Sequence, residues 1–136
     1  MPSTRLFREQ HEELKRLMES LRLHLNETPL SAMALQSFKT YAHTLREHLA
    51  MEDRGIYPRL LAHDAEQVRL MAQIYQAEMG SLGRDFDALA RQWDHQAQTA
   101  VVAPALIQEV KDMLDRLEQR MDREDHGLYT LVDRLE

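Results

Sequence analysis

His48 and Glu52 of this 136-residue chain are of the types, and at the spacing, that could hold a cation. His48 and Glu52 stand four residues apart, an interval that stacks side chains on one helix face about 5–6 Å apart at Cβ. Their neighbours define that face. Phe38, Ala42, Leu45, Leu49, Glu52 and Ile56 step by three and four, so Glu52 falls on an apolar stripe and His48 on its edge. A carboxylate on a core stripe must be paired or bound to a metal. With an imidazole beside it, the chemistry indicated is cation binding. His11 takes a core slot in a similar stripe of Phe7, His11, Leu14, Met18, Leu21 and Leu25. Glu124 takes one among Val110, Met113, Leu117, Met121, Leu128 and Leu131.

Four helices must position these groups. Ser3 or Thr4 can cap the first, and Asn26-Glu27-Thr28-Pro29 ends it. The second runs from about Ser31 through Glu52 toward Tyr57-Pro58, where the residue before proline avoids the α region. After a connection at His63-Asp64, the third carries Val68, Ala72, Tyr75, Met79, Leu82, Phe86 and Leu89 on its seam. Gly80 and Gly83 weaken it by about 1 kcal/mol each relative to alanine, and would suit a neighbour's close approach. Gln98 to Ala103 reads as a loose connection, and Pro104 suits a fourth helix start. The expected architecture is all-α, an antiparallel up-down-up-down four-helix bundle with an internal two-fold pseudo-repeat, formed by residues 1–136 as one domain.

Composition narrows the function classes. Four glycines and four prolines in a chain that is 43% hydrophobic favour long helices over disorder. The absence of cysteine excludes disulfides, thiolate metal sites and thiol switches. A net charge of −6 with no long basic run argues against nucleic acid as a partner. No apolar run reaches the roughly 18–20 residues that span a bilayer. The N-terminal Met1-Pro2-Ser3-Thr4-Arg5 leads into a charged amphipathic segment rather than an apolar signal core. These features are those expected of a cytoplasmic protein without a membrane partner.

The two halves repeat weakly. His48-Leu49-Ala50-Met51-Glu52-Asp53-Arg54-Gly55-Ile56-Tyr57 lies over Arg120-Met121-Asp122-Arg123-Glu124-Asp125-His126-Gly127-Leu128-Tyr129, with the Glu-Asp pair, the glycine and the tyrosine in register. His11 lies over Met79. In these residues the chain resembles the hemerythrin-like (HHE cation-binding) family. Its motif is a histidine on helix one, His-x-x-x-Glu on helix two followed by a Tyr-Pro-like pair, a histidine on helix three and a second His-x-x-x-Glu on helix four. The resemblance covers about Leu6 to Leu131. His11, His48, Glu52, Tyr57-Pro58 and Glu124 fill motif places, whereas Met79 and Arg120 replace the histidines of helices three and four.

The resemblance implies a non-haem iron centre in the bundle core. One iron would take His11 and His48, and the two glutamates would bridge to a second. That second iron has lost its histidines. A thioether is a poor ligand for hard iron, and arginine offers no lone pair. One iron or none is therefore expected rather than two, with O2 or another small diatomic as the ligand and an oxygen, iron or redox sensing or binding role. The alternative is a metal-free regulatory or interaction module in which Arg120 forks onto Glu52 or Glu124. Arg120 could instead snorkel to solvent. An enzyme ranks last, because no substrate pocket or general base is legible. His24, His43, His63, His95 and His126 lie off the seams and read as solvated. So do the charged neighbours of Glu124, Asp125 among them. Tyr57 and Tyr129 read as partly buried helix-end residues.

Overall fold

The computed structural model describes residues 3–99 and 101–136, and within them every regular element is helical. Ser3 caps α1 (Thr4–His24), its hydroxyl accepting from the Arg5 amide at 3.1 Å. Ser31 caps α2 (Ala32–Gly55) by accepting from the Ala34 amide at 3.0 Å. Ile56, with φ −122° and ψ −44°, interrupts the helix just before the Tyr57-Pro58 pair. A short helix, α3 (Tyr57–Leu61), comes next with Pro58 in its first turn, where a missing N–H costs nothing. The long α4 spans Glu66–Ala97 and α5 spans Pro104–Arg123. The connection expected over Gln98 to Ala103 contains Ala100, which lies outside the described residues, as do Met1 and Pro2.

The fourth helix is not continuous. Glu124–Tyr129 forms a π-helical turn before α6 (Thr130–Leu135). A π turn accommodates one extra residue and shifts the facing of the residues beyond it. Side chains satisfy some of the carbonyls it loosens: the Tyr75 hydroxyl donates to the Arg123 carbonyl at 3.4 Å, and Thr130 Oγ1 to the Asp125 carbonyl at 2.8 Å. Gly127 permits this approach, since a Cβ there would lie 2.7 Å from the Tyr75 hydroxyl oxygen.

The four long helices pack as a bundle, with α1 against α2 and α5, and α4 against α3 and α5. Its interior divides in two. The larger apolar cluster takes Leu14, Leu45, Phe86, Trp93, Leu117 and Met121 among others. A smaller one takes Phe7, Ile56, Leu60, Ala72, Leu128 and Val132. Along α1, α2 and the fourth helix the residues between these clusters are His11, His48, Glu52 and Glu124, so a polar layer separates two dry ones. No helix among the described residues is long and apolar enough to cross a membrane.

Overpacking a rigid contact typically costs about 1–3 kcal/mol, more than the roughly 1 kcal/mol that alanine gains over glycine in a helix. Gly127→Ala should therefore lower the midpoint of a urea melt. A raised midpoint would show that Tyr75 moves aside freely.

Candidate metal centre

The structure brings His11, His48, Glu52 and Glu124 together. One ligand atom from each lies within 4.8 Å of all the others, and the four residues are 0%, 4%, 2% and 4% exposed. His11 Nε2 stands 3.1 Å from His48 Nε2, 3.1 Å from Glu124 Oε1 and 3.8 Å from Glu52 Oε2. His48 Nε2 stands 2.9 Å from Glu52 Oε1.

The far side of each imidazole is anchored. His11 Nδ1 lies 2.7 Å from Asp125 Oδ1, and His48 Nδ1 lies 2.6 Å from Gln10 Oε1. A carboxylate and an amide oxygen both accept, so each Nδ1 carries the hydrogen. Each Nε2 is thereby turned toward the shared centre, the arrangement a histidine adopts as a metal ligand. The carboxylates are anchored in the same sense. Tyr57 donates to Glu124 Oε2, and Tyr129 donates to Glu52 Oε2 at 2.6 Å. Each tyrosine thus clasps the glutamate of the other long helix. The Tyr129 ring also stacks on His11, with centroids 6.0 Å apart and planes 14° from parallel.

The electrostatics follow from this packing. Burial and the charge of Glu124 push the Glu52 carboxyl well above the ordinary carboxylate range, so Glu52 keeps its proton. Burial opposes charge on Glu124 too, but hydrogen bonds from His11, Glu52 and Tyr57 outweigh it and hold that carboxyl low. Burial also opposes charge on His11, yet Asp125 and Glu124 overcome it and raise its pKa above the usual 6.5. His48 is pushed down to about 3 by burial and by the charge on His11, and stays neutral. Without a cation, the space between the four ligand atoms thus holds a proton on His11 and another on Glu52. When those protons leave, two imidazole nitrogens and two carboxylates converge on one point. This donor set fits a first-row divalent metal.

Arg120 takes neither position considered from the sequence. It is 5% exposed, so it does not snorkel. Its Nη1 donates to Glu78 at 2.7 Å and its Nη2 to the Tyr75 carbonyl at 2.8 Å, with its guanidinium 4.1 Å from the Tyr75 ring centroid. The expected fork onto Glu52 or Glu124 is absent among the described contacts. A helical side chain leans over the preceding turn, which carries Arg120 away from Glu124, and its guanidinium lies against α4 instead. Tyrosine hydroxyls, not a guanidinium, cover the outer oxygens of the glutamates. Met79 is half-buried and packs against the larger core cluster.

Four residues that anchor the ligands were read differently, or not at all, in the sequence. Asp125, expected to be solvated, is 7% exposed and bonded to His11. The π turn accounts for this, because it turns the adjacent Glu124 and Asp125 inward together. Tyr129, expected to be partly buried, is fully buried, as is Tyr57 at 2%. Their signal was the Glu-x-x-x-x-Tyr spacing present in both halves of the chain. Gln10 carried no signal, since a glutamine on a helix flank is ordinary. Of the other histidines, His43, His95 and His126 are not buried, while His24 and His63 are half-buried beside Glu27 and Glu136.

An all-helical bundle with buried histidines and carboxylates converging at its middle is the architecture of a cation-binding bundle protein. The family model of the hemerythrin HHE cation binding domain matches residues 3–132, and the chain belongs to that family. No curated protein and no solved structure matches it.

Arg120→Ala should lower stability by about 1–2 kcal/mol. Its partner Glu78 is 43% exposed and can rehydrate, so the roughly 3–5 kcal/mol of a fully buried pair does not apply. Cation affinity should be unchanged. Parallel urea melts and metal titrations of the variant check both; a large change in affinity would show that the guanidinium acts on the centre.

Proposed function

We propose that this chain is a hemerythrin-like protein that binds one divalent cation, with iron(II) the best match, through His11, His48, Glu52 and Glu124. The observation that carries the reading is the pair of imidazoles, each anchored at Nδ1 and presenting Nε2 to its neighbour 3.1 Å away. Two lone pairs that face each other need a proton or a metal between them. The reading of one ion, not two, is supported by Met79 and Arg120 in the places of the second pair of histidines. It is supported further by Tyr57 and Tyr129, which donate to the carboxylate oxygens that a second ion would need. Bound iron would supply redox chemistry and a position for a small diatomic ligand such as O2, which suits an oxygen, iron or redox sensing or binding role. The chain's own part is to hold the donors, exclude water and exchange protons at His11 Nε2 and Glu52. We read it as a single cytoplasmic domain whose helices alternate in direction, with the two halves related by a pseudo-two-fold. The metal-free alternative loses support, because Arg120 is committed to Glu78 and Tyr75.

Anaerobic titration with Fe²⁺ should saturate at about one ion per chain, the number this donor set serves. Uptake of two ions, or of none, would refute the proposal. The pH dependence has a definite sign. His11 and Glu52 both carry raised pKa values, and both must lose a proton to bind. Binding should therefore release about two protons per ion and tighten as pH rises. In the metal-free protein, the stabilisation tied to His11 is fully present below pH 6.5 and fades as pH rises through its higher folded value. The gap in melting temperature between loaded and metal-free protein should accordingly widen from about pH 6 to about pH 8. A constant gap would show that neither proton is displaced.

A further inference from the structure

Gly80 and Gly83 stand in the interior of α4, where glycine is a poorer helix former than any residue but proline. Packing does not demand them. A Cβ at Gly80 would come no nearer than 3.6 Å to Arg84 Nη1, and one at Gly83 no nearer than 3.9 Å to Leu49 Cδ1; both are ordinary contacts. The backbone does not demand them either, for neither adopts a positive φ. The close helix approach expected from the sequence is absent. Both glycines instead border a cleft of about 340 Å³ between α2 and α4.

The cleft leads to the candidate centre. Glu52 and Tyr57, each 2% exposed, contribute to its lining. Leu49 and Met79 line it as well, and Asp53, Arg84 and Asp87 supply charge at its edge. Apart from Glu52, which keeps its proton, the charged groups of the lining are Asp53, Asp87 and Arg84, a small excess of acid that favours a cation over an anion. A smaller pocket of about 100 Å³ touches His48 from the α1–α2 side. Gln10 sits there, bonded to His48 at 2.6 Å and to the Met51 sulfur at 3.2 Å, so passage on that side would break the anchor of His48.

We propose that the cleft between α2 and α4 is the port through which a divalent cation reaches the centre, and that Gly80 and Gly83 keep its wall free of side chains. The proposal rests on the metal-site reading above and extends it. A side chain at position 83 leans over the preceding turn. Leucine there would extend over Met79 and Gly80, and its Cβ would meet Leu49 within 4 Å but no ligand residue or anchor.

The test is stopped-flow loading of the full chain with Co²⁺, then its release into excess chelator. Gly83→Leu should slow loading and release alike by about tenfold or more, because a blocked passage raises the barrier in both directions. Equilibrium affinity should stay within about twofold, since the donors are untouched. Gly83→Ala has the same backbone effect but leaves the cleft open, so it should load at the wild-type rate. Thr44→Leu, which fills the pocket beside His48, should do the same. Gly80→Leu provides a second block should Gly83→Leu fail to fold. Wild-type rates in the leucine variants at 80 and 83, or slowed rates in Thr44→Leu alone, would overturn the port and leave the metal site standing. A wild-type chain that takes up no Co²⁺ would overturn the metal-site reading and the port with it.

Discussion

Glu52 and Glu124 lie together inside a helical bundle where almost no water reaches them, 2% and 4% exposed. Two ionised carboxylates cannot share such a space, because like charges at low dielectric repel and burial opposes ionisation. The rest of the interior is arranged around that constraint. One carboxyl keeps a proton. The other is balanced by a protonated His11, which is held in turn by Asp125. A divalent cation that displaces the His11 and Glu52 protons leaves the total charge of the layer unchanged. Binding of this kind needs no new counter-charge, and the apolar clusters on either side need not move. Those clusters give the chain a core of its own, so the polar layer can be kept for chemistry without endangering the fold.

Local departures from the α-helix set the geometry of the layer. Tyr57 follows Glu52 by five residues and Tyr129 follows Glu124 by five. In an unbroken α-helix that interval rotates a side chain about 140° away. Ile56 interrupts the first segment and the π turn occupies the second. Both tyrosines consequently reach the core, each bonded to the opposite glutamate. The π turn also delivers Asp125 to His11, and Gly127 lets the turn lie against Tyr75. A π turn at the functional layer fits the general tendency of such turns to persist where they position a side chain.

The long helices and the residues of the layer were legible in the sequence because an amphipathic helix advertises its buried face. A charged or titratable residue at an apolar slot stands out against that period, as His11, Glu52 and Glu124 did. The residues that hold the ligands were not legible for the same reason. Asp125 and Tyr129 sit where an ideal helix would turn them away from the ligands, and the sequence does not say where the period slips. Arg120 illustrates a further limit. The sequence left open whether it was buried or reached solvent, and it did not show its partners, because Tyr75 and Glu78 belong to another helix and only packing brings them near. Gly80 and Gly83 look like sites of close packing in the sequence, whereas the structure shows an open cleft beside them.

The proposed site takes one cation on two imidazoles and two carboxylates, with tyrosine hydroxyls on the remaining carboxylate oxygens and Met79 and Arg120 standing where a second pair of histidines would be. X-ray absorption spectroscopy of the iron-loaded protein tests it most directly. A one-ion site of this kind gives a nearest shell of imidazole nitrogen and carboxylate oxygen, outer scattering from two histidine rings that is weakened to that of one ring in His11→Ala, and no metal–metal scattering. A metal–metal distance in the spectrum, or a shell without imidazole, would contradict it.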